Sequence, residues 1–487
     1  VERKISQEPD GRNLSAPGIF ERLLGGFKPR YLPVLLTYFC YGASGVTNIA
    51  LIFFEKDTLK LTPAEVAGIA FWLGLPWSMK MVAGAASDAY PILGKRRASY
   101  LLLGAICSVG GYAMLATMVD ARGTFLLAML LVTVGFMVQD VIADALSVEV
   151  AGSDEELGQV QALGRMALLV GSISVAYFGG WLAEVIGPRG VFASAMLFPL
   201  LVAASAVWVW TRSAEHPPPA NPGAIGGTRP VVVIGAGLSY AALGVLLEAF
   251  HAPFAQEIVL VVSGVLIGFL LKRVGTSREV IVAAVLIFLF RATPGVGQGY
   301  SYWAIDRLGF DQRFLGILAQ VSSVLSLAGL LIFRKTIVSR PVSYTLRWVV
   351  IAGTVLYLPS IGLFYGVHEW LGMSARTFAF IDTTISAPLA QLTMVPMLML
   401  IAKTVPPGAE ATMFAIMASL MNLALSASEL FTRYLNDTFA VTQQDYSSLG
   451  ELMITVGIIG LLPLLALSLL SKTERAGVQN RGGLAPT

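Results

Sequence analysis

The sequence predicts an all-α integral membrane protein built as two six-helix halves with two extra helices between them. Three observations predict it. Of 487 residues, 56% are hydrophobic and only 13% charged, against about 25% charged in a soluble domain, and the mean hydropathy is +0.73. The apolar residues fall into fourteen stretches near the length that crosses a hydrocarbon core about 30 Å thick, about 20 helical residues. A polar, Pro-rich passage containing HPPPANPGAIGG then divides those stretches six against eight. This pattern leaves no room for a separate soluble catalytic domain. The net charge of +3 sits on short flanks with no dense basic tract, which excludes nucleic acid as a partner.

In chain order, residues 1–30 form a cytoplasmic N-terminal segment without the apolar core and small-residue cleavage site of a secretory signal. Its Val1 implies a trimmed or processed start. Ile19, Phe20, Leu23, Leu24 and Phe27 have helical spacing, which suits a helix lying on the membrane surface and equally a disordered tail. Charge clusters, Pro and Gly then cut out spans at 31–54, 63–86, 98–118, 123–149, 159–185 and 190–210, the N-terminal half over 31–210. A cytoplasmic linker over 211–229 follows. Two inserted helices, near 230–250 and 255–271, occupy 230–273 and are expected to be peripheral scaffold or a dimer contact. If they do not cross, twelve spans remain and the orientation is unchanged. The C-terminal half, 278–471, holds spans at 279–303, 313–333, 344–367, 375–402, 410–435 and 448–470, and 472–487 is a cytoplasmic tail. Cys40 and Cys107 each lie in an apolar run, so no disulfide framework exists.

Orientation follows from the positive-inside rule, which counts Lys and Arg in short loops. With both termini cytoplasmic, the inner flanks carry 22 of the 33 and the outer loops 8. The remaining three, Lys80, Arg165 and Arg291, lie within spans. The expected location is a bacterial inner (plasma) membrane, with the protein a monomer in the lipid bilayer.

A short repeat links the halves at an offset of 249 residues: Phe53-Phe54, Asp57, Leu59 and Leu61 correspond to Tyr302-Trp303, Asp306, Leu308 and Phe310. The first and ninth spans are therefore equivalent, each opening a six-helix half. Two parallel halves around a midplane cavity are the architecture of major-facilitator transporters.

Ionisable groups inside spans are costly and mark functional sites by default. Span four carries Asp140 and Asp144 four residues apart, on one helical face, where two carboxylates repel unless a cation intervenes or one takes a proton. They are the candidate proton-coupling residues. Lys80 and Arg165 lie at similar depth, about 9–10 Å from the inner ends of spans two and five at about 1.5 Å per residue. A Lys80–Asp140/Asp144–Arg165 cluster is one reading; snorkelling of the two long side chains is the other. Arg291 lies near midplane, followed by the helix-loosening Ala292-Thr293-Pro294-Gly295-Val296-Gly297. It suits an anionic substrate, or a structural pair with Glu248 or Glu429. Trp77, on the face of Lys80, and Tyr302 supply ring surface, as do Trp72, Tyr38, Tyr41, Tyr300 and Trp303, although aromatics also serve packing and interface belts. Gln139 joins the candidate substrate-binding set of Lys80, Arg165, Arg291, Trp77 and Tyr302. After span two, Asp88, Gly94 and the triplet Lys95, Arg96, Arg97 can bridge neighbouring helix ends. With Glu149 at the end of span four they form the candidate cytoplasmic gate, and the triplet also sets topology.

Together these residues carry a family pattern. Leu75-Pro76-Trp77-Ser78-Met79-Lys80, Ser87-Asp88-Ala89-Tyr90-Pro91 through Arg97, and Gln139-Asp140-Val141-Ile142-Ala143-Asp144-Ala145 with Val148-Glu149 resemble the folate-biopterin transporter family of the major facilitator superfamily. In the C-terminal half Ala292-Thr293-Pro294, Leu308-Gly309-Phe310 with Phe314-Leu315-Gly316, and Pro406-Pro407-Gly408-Ala409-Glu410-Ala411-Thr412-Met413-Phe414-Ala415 are similar to that family too. The resemblance implies proton-coupled import of folate or a related pterin, with Lys80, Asp140, Asp144 and Arg165 on the family's polar motif positions. The chain departs from the usual twelve-span plan by its insert, and from the general superfamily loop motif by having five residues between Asp88 and Gly94. Spans two and four also resemble muropeptide permeases. A muropeptide-type or other anionic-metabolite permease is therefore the alternative, as is a non-transporting pigment or cofactor assembly protein of the same fold. An enzyme is not expected: His216, His251 and His368 lie in loops or near span ends, and no catalytic, metal or cofactor spacing occurs.

Overall fold

The computed structural model describes the backbone of residues 27–212, 230–274, 277–390, 392, 394–404 and 410–467. The N-terminal segment before Phe27, the linker from residue 213, the cytoplasmic tail and the Pro406–Ala409 part of the family motif lie outside the described residues.

All fourteen apolar stretches are occupied by helix, and no strand occurs among the described residues. Among the described residues, ten segments are long and apolar enough to cross a membrane. One of them, Glu155–Thr211, is 57 residues long, enough to cross twice at about 1.5 Å per residue. The protein is thus a multi-pass membrane protein.

The first span is two helices, α1 (Leu32–Ala43) and α2 (Asn48–Phe53), joined by a tighter turn over Ser44–Thr47 and followed by a wider one over Phe54–Thr58. The Ser44 and Thr47 hydroxyls donate to the carbonyls of Tyr41 and Ser44, competing with the helical ladder. The second span opens with Thr62 and Glu65 in a reciprocal capping box before α3 (Pro63–Ser78). Pro76 has no N–H to donate. Three residues on, at Met79 (φ −109°, ψ 16°), the helix breaks and restarts as α4 (Lys80–Ala89).

Spans three and four are α5 (Arg97–Thr117) and α6 (Arg122–Val150). Glycine seams them: a Cβ at Gly135 would lie 2.2 Å from the Ser108 hydroxyl and 2.5 Å from the Gly104 carbonyl. Small residues let membrane helices approach this closely. The 42-residue α7 (Asp154–Ala195) turns at Gly187 (φ 69°, ψ 169°) before Pro188 and continues into α8 (Leu197–Arg212), forming spans five and six. It presses on α1, where a Cβ at Gly42 would lie 1.9 Å from the Leu168 carbonyl oxygen.

The inserted helices α9 (Pro230–Ala249) and α10 (Ala255–Val274) touch both halves. Gly237 of α9 rests on Val82, Gly244 of α9 rests on Trp72, and Glu248 pairs with Arg122 at 2.8 Å. The buried Gln256 donates to the Gly68 carbonyl at 2.7 Å and accepts from Arg433 at 3.0 Å. The insert therefore lines the seam between halves, a closer involvement than peripheral scaffold.

The C-terminal half begins with a broken span, α11 (Arg278–Arg291) and α12 (Gln298–Leu308), with Gly297 at φ 66° between them. Then come α13 (Gln312–Ser339), α14 (Val342–Phe364), the short α15 (Val367–Trp370), a second broken span α16 (Ala375–Ser386) and α17 (Met394–Thr404), α18 (Glu410–Thr438) and α19 (Leu449–Ile459). The halves meet where α7 packs on α13 and α3 on α18. A Cβ on Gly180 would lie 2.2 Å from the Gln312 carbonyl oxygen, and one on Gly74 would lie 2.3 Å from the Ser426 hydroxyl.

Candidate functional site

The break at Met79 shapes the central site. It leaves the Trp77 carbonyl to Asn422 of α18, whose amide donates to it at 3.0 Å, so the C-terminal half reaches the residue beside Lys80. The Lys80 ammonium lies 4.8 Å from the Trp77 ring centre, a cation–π distance. Trp77 in turn stacks on Tyr41 at 5.4 Å. The same ammonium is ion-paired with Asp140, a buried carboxylate on α6.

One turn along α6, Asp144 accepts a hydrogen bond from the buried Tyr38 hydroxyl. Arg165, exposed on α7, places its guanidinium 5.9 Å from the Tyr38 ring centre. Lys80, Trp77, Asp140, Asp144 and Arg165 are thus gathered within the N-terminal half. Chemically, the cluster offers a cation shared between a buried carboxylate and an aromatic face, with a second carboxylate held by a phenol.

Three other candidates lie elsewhere. Gln139 is buried on the face of α6 turned to α5, its side chain against Gly104. Arg291 ends α11, which packs on α18 in the C-terminal half. Tyr302 is fully buried on α12, near enough to Glu55 to interact electrostatically.

The loop after α4 forms a second network. Arg97 pairs with Asp88 and with Glu149, both at 2.8 Å, and donates to the buried Ser87 hydroxyl at 2.8 Å. Arg96 lies 3.7 Å from Glu149. Lys95 sits in the turn, its N–H donating to the Ile92 carbonyl, with Leu93 (φ 50°) and Gly94 (φ 75°) left-handed between them. The network joins the ends of spans two, three and four on one face of the protein, the Asp88 face. On that face Glu156 also accepts from Lys28, Arg30 and Tyr31, tying span five to span one.

The opposite, Asp306 face is closed by contacts between halves. Lys56 pairs with Asp306 at 2.6 Å and with Asp57 at 3.0 Å, and the Tyr446 hydroxyl donates to Asp306 at 2.6 Å. Gln443 donates to the carbonyls of Lys56 and Leu61, both at 3.1 Å. The repeat-related ends of spans one and nine therefore meet here. Nearby, among the described residues, a cavity of about 310 Å³ lies between Glu65, Gly68, Arg122, Arg433 and Asp437.

Asn422, Gln443 and Glu55 were not among the sequence candidates. Asn422 and Gln443 have no charged neighbour in sequence to mark them, and their partners are backbone carbonyls that no side-chain pattern records.

Similarity to known proteins agrees with this architecture. A folate-biopterin transporter of Synechocystis sp. is 30% identical over 454 residues, covering 92% of this chain and 84% of that protein. Folate transporter 2 of Plasmodium falciparum is 22% identical, covering 94% and 91%. Among solved structures, a POT family transporter in complex with a thioalcohol-conjugated peptide superposes with a TM-score of 0.67 at 15% identity, over 91% of this chain and 96% of that one. The nucleoside transporter NupG gives 0.62 at 12%, over 90% and 99%. These structures establish the major-facilitator fold. The BT1 family profile matches residues 42–481, and the chain belongs to the BT1 family.

Proposed function

We propose that this protein carries folate or a related pterin across the membrane by alternating access, coupled to protons, with the Asp88 face and both termini in the cytoplasm of a bacterial cell. The observation that carries the reading is the Lys80–Asp140 pair beneath the Trp77–Tyr41 stack, in a family whose relatives include folate-biopterin transporters. A pterin is a flat ring, and folate adds carboxylates. The ring matches the aromatic stack and a carboxylate matches Lys80.

The pair also supplies a coupling logic. An anionic substrate and Asp140 compete for one ammonium, so protonating Asp140 frees Lys80 for the substrate. Asp144, held by Tyr38, is the second acceptor for a proton, and Arg165 adds positive charge at the edge. The Asp88–Arg97–Glu149 network then serves as the cytoplasmic gate, and the Lys56–Asp306 pair as its outer counterpart. Arg291 acts from the C-terminal half.

The test is uptake of labelled folate by proteoliposomes, with and without an inward proton gradient, for the parent protein and Asp144→Asn. Gradient-driven uptake lost in the variant supports the reading. Absence of folate uptake removes the substrate assignment and directs the assay to muropeptides.

A further inference from the structure

The outer cluster holds one group that this reading does not use. Glu55 lies in the wide turn Phe54–Thr58 and is only 8% exposed. Its Oε2 has no hydrogen-bond partner among the described residues. The fully buried Tyr302 of the other half is close enough to interact with it electrostatically, and its hydroxyl is likewise without a partner among them.

The cations nearby are committed elsewhere. Lys56 holds Asp57 and Asp306. Arg189, stacked over Phe54, donates to the carbonyls of Ala116 and Val119. The remaining ionisable groups around the cluster are the acids Asp57, Asp306 and Glu65, the phenol of Tyr446, whose hydroxyl is given to Asp306, and Arg307, whose charge acts on Tyr446. A carboxylate ion buried without a cation or donor is strongly disfavoured, and taking a proton relieves it. When the halves separate at this face, water reaches the group and the ionised form is again favoured.

We propose that Glu55 is a proton-binding site of the outer gate, protonated while the two halves are in contact and ionised when they part. This rests on the alternating-access reading and its orientation. On closing, a carboxylate oxygen takes a proton from the outer solution and forms an O–H bond; on opening, the proton returns there. The site therefore tunes the gate to external pH and adds no net proton movement, unlike the acids of span four.

The test places spin labels at Ala121→Cys and Leu371→Cys, exposed positions on the outer loops of opposite halves, in a background where Cys40 and Cys107 are alanine. In the parent, the long-distance population grows as external pH rises from about 5 to about 8, as linkage to a buried carboxyl requires. Glu55→Gln, which mimics the protonated form, keeps the short distance throughout. A parent without pH response, or a Glu55→Gln protein that responds like the parent or stays long, overturns the proposal. Should Glu55→Gln fail to fold, Glu55→Asp replaces it: the infrared band of the protonated carboxyl in the closed state must shift, and an unmoved band overturns the proposal. The distance readout needs no substrate. A failure of folate exchange in the parent protein therefore counts against the substrate assignment alone.

Discussion

Lys80 and Asp140 pair inside one half, whereas Lys56 and Asp306 pair between halves, and the same chemistry acquires different consequences from that placement. Helices α1 and α7, like α5 and α6, are seamed so closely that a single Cβ has no room at Gly42 or Gly135, and Lys80 and Asp140 both belong to this half. Under the proposed alternating access this pair stays together as the halves rock and can serve binding. The Lys56–Asp306 pair joins the two halves, so under the same proposal it persists only while they touch and stabilises one state. In that proposal, position relative to the seam between halves, more than burial or distance, separates a binding pair from a latch.

The largest effect is expected at the pair inside the half. Lys80→Ala removes the cation and leaves Asp140 buried without its partner, a loss of about 2 kcal/mol or more for a charge-assisted contact. Initial-rate folate uptake should fall at least about 30-fold, with the amount of monodisperse protein retained. Uptake within about twofold of the parent would remove the cluster from the transport site.

The pair between halves should give a smaller change of another kind. Lys56→Gln takes the cation from Asp306, which keeps the Tyr446 hydroxyl and is already partly solvated. It should raise the population open at this face about tenfold, corresponding to about 1.4 kcal/mol. Spin-label distances between Ala121→Cys and Leu371→Cys measure it. An unchanged distribution would show that Gly180–Gln312 packing alone keeps the face closed.

Much of this was legible before any coordinates. Lys80, Asp140 and Asp144 stand out because charge within an apolar run is rare, and helical spacing places the two acids on one face. The fourteen stretches are legible for the same reason. Other features depend on events that pattern does not encode. Reading span one as 31–54 leaves Glu55 in a loop, whereas the wide turn after Phe53 keeps it buried. Gln139 adjoins Asp140 in sequence, yet one residue is about 100° around a helix, so it faces α5. Asn422 donates to the Trp77 carbonyl, which the helix break at Met79 leaves free, a contact across 345 residues that no linear motif encodes.

At the Asp88 face, Arg97 makes three contacts at once, to Asp88, Ser87 and Glu149. Lysine cannot reproduce that fork. Arg97→Lys should therefore slow uptake by about three- to tenfold, or about 1 kcal/mol, while leaving the Asp306-face distances as in the parent. A shift in those distances would show that the two faces are coupled more tightly than separate gates require.

The smallest effect is at the start of α13, outside the membrane. Asp311 caps the helix by accepting from the Phe314 N–H at 2.7 Å and pairs with Arg376 at 2.6 Å. Burial raises its carboxyl, but the Phe314 N–H and the Arg376 guanidinium outweigh that and hold it below the ordinary carboxylate range. A depressed acid contributes stability that is present above its unfolded pKa, about 3.9, and lost as pH falls through the folded value. Both side chains of the pair are nearly half exposed, so the salt bridge adds little and the cap about 1 kcal/mol. Asp311→Ala should lower the thermal midpoint by a small constant amount above about pH 5, and the gap should close as the pH falls below about 4. A gap that persists at low pH would mean that Asp311 acts through packing and not through its charge.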